Sequence, residues 1–219
     1  MVISTEQKYQ DILEIIPSVS RETMKHLIEF ESLVIQWNIH INLISATTIP
    51  VLWKRHILDS AQIYPLKSQF LHWCDLGSGG GFPAIVLAIF LKEKKGGHID
   101  LVESNGKKAA FLQNVIAKLN LPATVHHCRI EDVYKKIKTP DILTARGLAS
   151  LDTLLHLMSP WLTQKTVALL QKGRDYVKEI KNATANWRFD LLKHESKIDK
   201  NSVILEISHV RSCKKGKAK

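Results

Sequence analysis

From residue 70 onward, short apolar runs alternate with helix-length amphipathic segments, and this alternation constrains the chain more than any other feature. Such a run suits a strand buried on both faces, and repeated alternation with helices predicts βαβ units around a parallel sheet. Strands are expected near FLHWCDL, HIDLVE, ATVHHC, DILTAR and TVALLQ, with helices starting near Phe82, Asn105, Glu131, Ser150 and Gly173. Two later runs, FDLLKHE and SVILEISHV, have no long helix between them, so they read as a terminal antiparallel hairpin that completes a seven-stranded sheet.

Before residue 65 the pattern is helical. Leu27, Phe30, Val34, Trp37 and Ile41 recur at spacings of three and four behind Ser20, which suits a helix start. A second stretch, PVLWKRHILDSAQIY, opens on Pro50 and stops at Pro65. The expected organisation is a helical subdomain over 1–65, an α/β domain over 66–210 and a basic tail, RSCKKGKAK, over 211–219 that is expected to be disordered.

Composition narrows the partners. No apolar stretch reaches the roughly 18 residues of a membrane span, and the polar start MVISTEQKYQ suits neither a signal nor a transit peptide, so a cytoplasmic protein without a membrane partner is expected. Cys74, Cys128 and Cys213 are too scattered for a disulfide framework or a zinc site, and no metal is expected. The formal net charge of +10 suits a polyanionic partner as well as it suits a merely basic protein.

The stretch DLGSGGGFPAIVLAI (75–89) joins a predicted strand to a predicted helix through four glycines. Bare backbone there lets a ligand approach, and the helix start adds a favourable field. Two registers are possible. From Gly77, the dinucleotide pattern G-x-G-x-x-G fails at Phe82; from Gly79, it is satisfied by Gly79, Gly81 and Ala84 but requires the strand to run to Ser78, whereas the apolar alternation ends at Leu76. What remains is D-x-G-x-G-x-G, formed by Asp75, Gly77, Gly79 and Gly81, which resembles the first motif of class I S-adenosylmethionine (SAM) methyltransferases, with their Rossmann-like fold. Glu103 ends the second strand, where an acid can take both ribose hydroxyls; Ile130 can cover an adenine face, and Glu131 or its backbone can meet the exocyclic amine.

The fourth strand ends in TARGLASL, with neither an N/D-P-P-Y type strand end nor a nucleophilic cysteine; Cys74 and Cys128 read as small core residues. Acceptors with a free lone pair and no proton, such as N7 of guanine, then remain, and no general base is expected. Arg146 faces the site from that strand end and can position the cofactor carboxylate or an acceptor phosphate.

Taken in order, WNIHINLIS, RHILDS, the glycine loop with GFP, ESNGKKAAFLQ, CRIED, ARGLASL and LLQKGR resemble the RsmG family, also called glucose-inhibited division protein B, over about residues 27–209. The resemblance implies a SAM-dependent methyltransferase acting on N7 of a guanine in 16S ribosomal RNA, in the 530 loop region. It also implies cofactor contact by Gly77, Phe82, Ile130, Glu131 and Arg146. The expected partner is 16S ribosomal RNA or the small ribosomal subunit, and the expected state a monomer. Ala84 stands where the family often has glycine, and its methyl is expected to crowd the helix slightly without abolishing binding. Lys172 in QKG is expected either to meet the RNA backbone or to be a solvated lysine. In RHILDS, Arg55 and Asp59 suit a local i, i+4 ion pair; alternatively Arg55 and His56 form the rim of the RNA cleft. Asn38 and Asn42 suit caps or bridges between helices. A methyltransferase with a protein or small-molecule acceptor, and a ribosome-associated RNA-binding protein with a vestigial pocket, are the competing readings.

Overall fold

The computed structural model describes residues 3–213. Its sheet contains β1 (His72–Leu76), β2 (His98–Glu103), β3 (Ala123–His127), β4 (Ile142–Arg146), β5 (Val167–Lys172), β6 (Trp187–Glu195) and β7 (Val203–Ser212), in the order β3-β2-β1-β4-β5-β7-β6. The first five are parallel, and β7 runs antiparallel between β5 and β6. The order reverses between β1 and β4, where departing loops diverge and leave a crevice at the carboxyl ends. The terminal hairpin is as expected, but β7 runs to Ser212, into the segment assigned to the tail. The rest of that tail, 214–219, lies outside the described residues.

Helices α1 (Thr5–Leu13), α2 (Arg21–Asn38), α4 (Ala84–Leu91) and α5 (Gly106–Leu119) share one apolar cluster with one sheet face; α6 (Leu151–Met158) and α7 (Tyr176–Ala183) share the other. All eight residues of α4, AIVLAIFL, are buried. A helix that is apolar all round needs cover all round, and α4 has it from β2 on one side and from α2, α5 and the single turn α3 (Asp59–Ala61) on the others. The N-terminal helices are therefore the lid of the sheet's own core. Ser20 caps α2 by accepting from Thr23 N at 3.0 Å, and Asn38 ends it by accepting from Leu43 N and Ile44 N at 2.9 Å each.

Three local expectations change. A helix from Glu131 is reduced to a 3-10 turn, Ile130–Asp132, followed by turns anchored on buried Val133 and Ile137. The continuous helix between Pro50 and Pro65 becomes a 3-10 turn (Ala46–Val51), a π-helical stretch (Trp53–Leu58) and α3. The π turn bonds i→i+5 in place of the i→i+4 pattern of an α-helix. Helix α1, with Ser4 as its cap at 3.2 Å from Gln7 N, was not anticipated, because TEQKYQDIL carries few apolar residues and buries only Ile12.

Candidate functional site

The glycine loop leaves β1 at the switch point. Gly77 has φ +71°, and a Cβ there would meet Leu148 Cδ1 at 2.7 Å; at Gly81, φ +87°, it would meet Ile85 Cγ1 at 2.7 Å. Both positions require the conformation that glycine allows, and at Gly81 an added Cβ would also press on the buried Ile85, whereas the Leu148 atoms met at Gly77 are the free end of a partly exposed side chain. Glu103 fixes the loop's position: Oε2 accepts from Gly79 N at 2.8 Å and Oε1 from Asn105 N at 2.7 Å. Gly77, Gly79, Glu103, Ile130, Glu131 and Leu148 line a cavity of about 420 Å³ at the ends of β1 and β2.

Asp75 lies beneath this loop and does not line that cavity. Its Oδ1 accepts from Thr144 Oγ1 at 2.6 Å on the neighbouring strand, while Oδ2 is buried without a partner among the described residues. Burial pushes its pKa up to about 7, against the pull of the Thr144 and Ser78 hydroxyls and the Arg146 charge. Gly81 and Phe82 also sit below the cavity. The Phe82 ring is buried between Phe30, at 5.1 Å, and His56, at 4.9 Å, with the Arg146 guanidinium 5.8 Å from its centroid.

A second cavity, of about 510 Å³, opens at the ends of β4 and β5; Arg55, Asp59, Arg146, Gln171, Lys172 and Glu179 are among its walls. Gly147 and Ala149 belong to both cavities. Arg146 stands at their junction and is held from behind. Its Nη2 donates to His56 Nδ1. A guanidinium has no acceptor, so the imidazole proton resides on Nε2, which lies 3.2 Å from Thr48 Oγ1. Burial and the charges of Arg146 and Arg55 push the His56 pKa down to about 3, so the ring stays neutral. Arg146 Nη1 pairs with Asp59 Oδ2 at 3.2 Å, but without hydrogen-bond geometry, so this buried nitrogen has no hydrogen-bond partner among the described residues.

Asp59 is more occupied than its sequence context suggests. Oδ1 accepts from Gln62 Nε2 and Oδ2 from Gln171 Nε2, each at 2.8 Å. The local Arg55–Asp59 pair is not formed: Asp59 is taken by Arg146 and the two glutamines, and Arg55 reaches Asp199 across the cavity at 3.1 Å. Lys172 differs from both expectations. Only 6% of its side chain is exposed, and Nζ donates to Ala149 O and to Glu179 Oε2, each at 2.7 Å. It is spent inside the protein, fixing the loop after β4, and is not presented to an RNA backbone. Gln171, Glu179 and Leu148 were not singled out from sequence; only their closeness to QKGR and ARGLASL could have flagged them.

Residues 23–205 match the family model described as rRNA small subunit methyltransferase G. The chain is 78% identical over 213 residues to the ribosomal RNA small subunit methyltransferase G of Bartonella bacilliformis, covering 97% of this chain and 99% of that one. It is 79% identical over 214 residues to that of Bartonella quintana, with 98% and 100% covered, and 53% identical over 209 residues to that of Brucella anthropi, with 95% and 98% covered. Among solved structures, it is similar to cofactor-bound Rv0187 from MTB, with a TM-score of 0.58, 10% identity and 94% and 98% coverage. It is also similar to a mutant of MtNAS in complex with S-adenosylmethionine, with a TM-score of 0.55, 14% identity and 94% and 84% coverage. At these identities the structural likeness is one of fold.

Proposed function

The chain belongs to the rRNA small subunit methyltransferase G family, and from that premise we propose that it transfers a methyl group from SAM to N7 of a guanine in 16S ribosomal RNA, in the cytoplasm and as a monomer. The arrangement that carries this reading is the pair of cavities meeting at Gly147 and Ala149, on the carboxyl side of a class I methyltransferase sheet.

The residues present fit the cofactor. Gly77, at φ +71°, brings bare backbone to the cavity wall, and Asp75 Oδ2, buried under the loop, has no partner among the described residues. Gly77, Gly79, Glu103, Ile130 and Glu131 would hold SAM, with Phe82 and Arg146 supporting from the junction. When bound, SAM supplies an electrophilic methyl group on a sulfonium.

What the chain must do is modest in chemical terms. N7 of guanine has a lone pair and no proton, so no side chain has to act as a base. The neutral His56, unable to take a proton near pH 7, is consistent with that demand. The work is positioning and exclusion of water. Arg146, aimed by His56, Asp59 and the Phe82 ring, is the positioning group at the junction. Charge moves from the sulfonium to the base, so little new electrostatic stabilisation is needed.

The test is incubation of 16S RNA, or small subunits, from a strain lacking the gene with labelled SAM, followed by chemical cleavage at N7-methylguanine. Label with cleavage at one guanine is the expected result. Label in protein, or in RNA that resists this cleavage, would overturn the reading.

A further inference from the structure

The cavity at the ends of β4 and β5 is lined by charged side chains, yet its charge is largely cancelled. Arg146 is paired with Asp59, Arg55 with Asp199 and Lys172 with Glu179. Lys54, exposed, is the cation on this wall without an ion-pair partner among the described residues. A phosphate seat presents uncompensated cations. Three neutralised pairs around about 510 Å³, within the roughly 300–1,000 Å³ of small-molecule sites, suit an uncharged polar ring.

The carboxylates of this wall differ in one respect. Both oxygens of Asp59 accept hydrogen bonds from glutamine side chains. Both oxygens of Asp199 are also engaged, Oδ2 by Arg55 and Ser202 and Oδ1 by Asn201 N. In Glu179, Oε2 accepts from Lys172 Nζ and from Leu151 N, at 2.7 Å each. Its Oε1 accepts nothing among the described residues and is not sealed from solvent. The side chain is therefore held at one oxygen, by Lys172 and Leu151 N, and open at the other.

We infer that this cavity seats the acceptor base after it leaves its stack, and that Glu179 Oε1 reads guanine by accepting from its exocyclic N2 amine. Guanine carries that donor on the edge opposite N7, so reading it leaves N7 unobstructed. An extruded base read by polar groups in a closed pocket is a general solution for enzymes that modify bases. Glu179 is thus a specificity-determining residue, and Lys172 and Leu151 N position it. The inference rests on the guanine acceptor proposed above.

The test pairs two RNAs with two enzymes. A 16S RNA transcript is assembled by ligation with guanosine or inosine at the methylated position; inosine retains N7 and lacks only the N2 amine. The full-length wild-type chain and Glu179→Gln are compared on both, with SAM affinity by calorimetry as the control for folding. Wild type is expected to lose about 10- to 100-fold in kcat/KM on inosine, the size of one hydrogen bond to a charged acceptor. Glu179→Gln should be slowed on guanosine by a similar factor and show a guanosine-to-inosine ratio near one, with SAM affinity unchanged. Equal wild-type rates on the two RNAs would overturn the inference without any variant, and so would a Glu179→Gln enzyme that keeps the wild-type ratio. Absence of N7 methylation by wild type on the guanosine RNA would instead bring down the underlying function.

Discussion

Replacing Asp75 by asparagine isolates the energetic consequence of a carboxyl sealed under the glycine loop. Its pKa moves from 3.8 to about 7 because burial penalises the anion. Below pH 3.8 both folded and unfolded chains hold this proton. Between there and pH 7 the folded chain keeps it while the unfolded chain releases it, so the contribution of Asp75 to stability falls as pH rises through that window and levels off above it. The slope is about 1.4 kcal/mol per pH unit, which accumulates to about 4 kcal/mol across the window. Asparagine still accepts from Thr144 Oγ1, and its amide, placed where Oδ2 lacks a partner, adds an offset of about 1–3 kcal/mol that does not depend on pH. Urea unfolding of wild type and Asp75→Asn at pH 5, 6, 7 and 8 therefore gives a difference that grows in favour of the variant up to pH 7 and then flattens. Two parallel curves, at any offset, would refute the assignment of a buried, proton-binding carboxyl.

Gly77→Val should weaken SAM binding at least tenfold in calorimetry with the far-UV spectrum preserved, since a β-branched residue combines φ +71° with a clash at Leu148. The imidazole of His56 should show no titration by NMR between pH 8 and 5, because its pKa lies at about 3; its neutral-state contribution to stability is complete above pH 6.5 and is lost progressively as pH falls from 6.5 to about 3. Lys172→Met should cost about 3 kcal/mol in chemical denaturation by leaving Glu179 without its buried partner, whereas Arg55→Ala, whose pair is exposed, should cost less than about 1 kcal/mol.

The parts legible in the sequence are those whose cause is local. Strand periods, the need for glycine at Gly77 and the closing hairpin follow from backbone geometry within a few residues, and the structure has them all. Asn38 likewise acts as the cap its neighbourhood suggested. Partnerships across the fold were not legible. Arg55 and Asp59 look like a helical pair, yet Arg55 reaches Asp199 while Asp59 meets Arg146 and Gln171, partners visible only in the folded chain. Lys172 looks like a surface cation in QKG, and nothing near it announces the glutamate seven residues on that neutralises it. The packing of Phe82 against Arg146 and His56 was not legible either, because it depends on three separate segments meeting.

Because Gly147 and Ala149 front both cavities, any coupling between what the two cavities bind would run through a single short loop. Whatever factor one ligand imposes on the other's dissociation constant must be returned unchanged in the opposite direction.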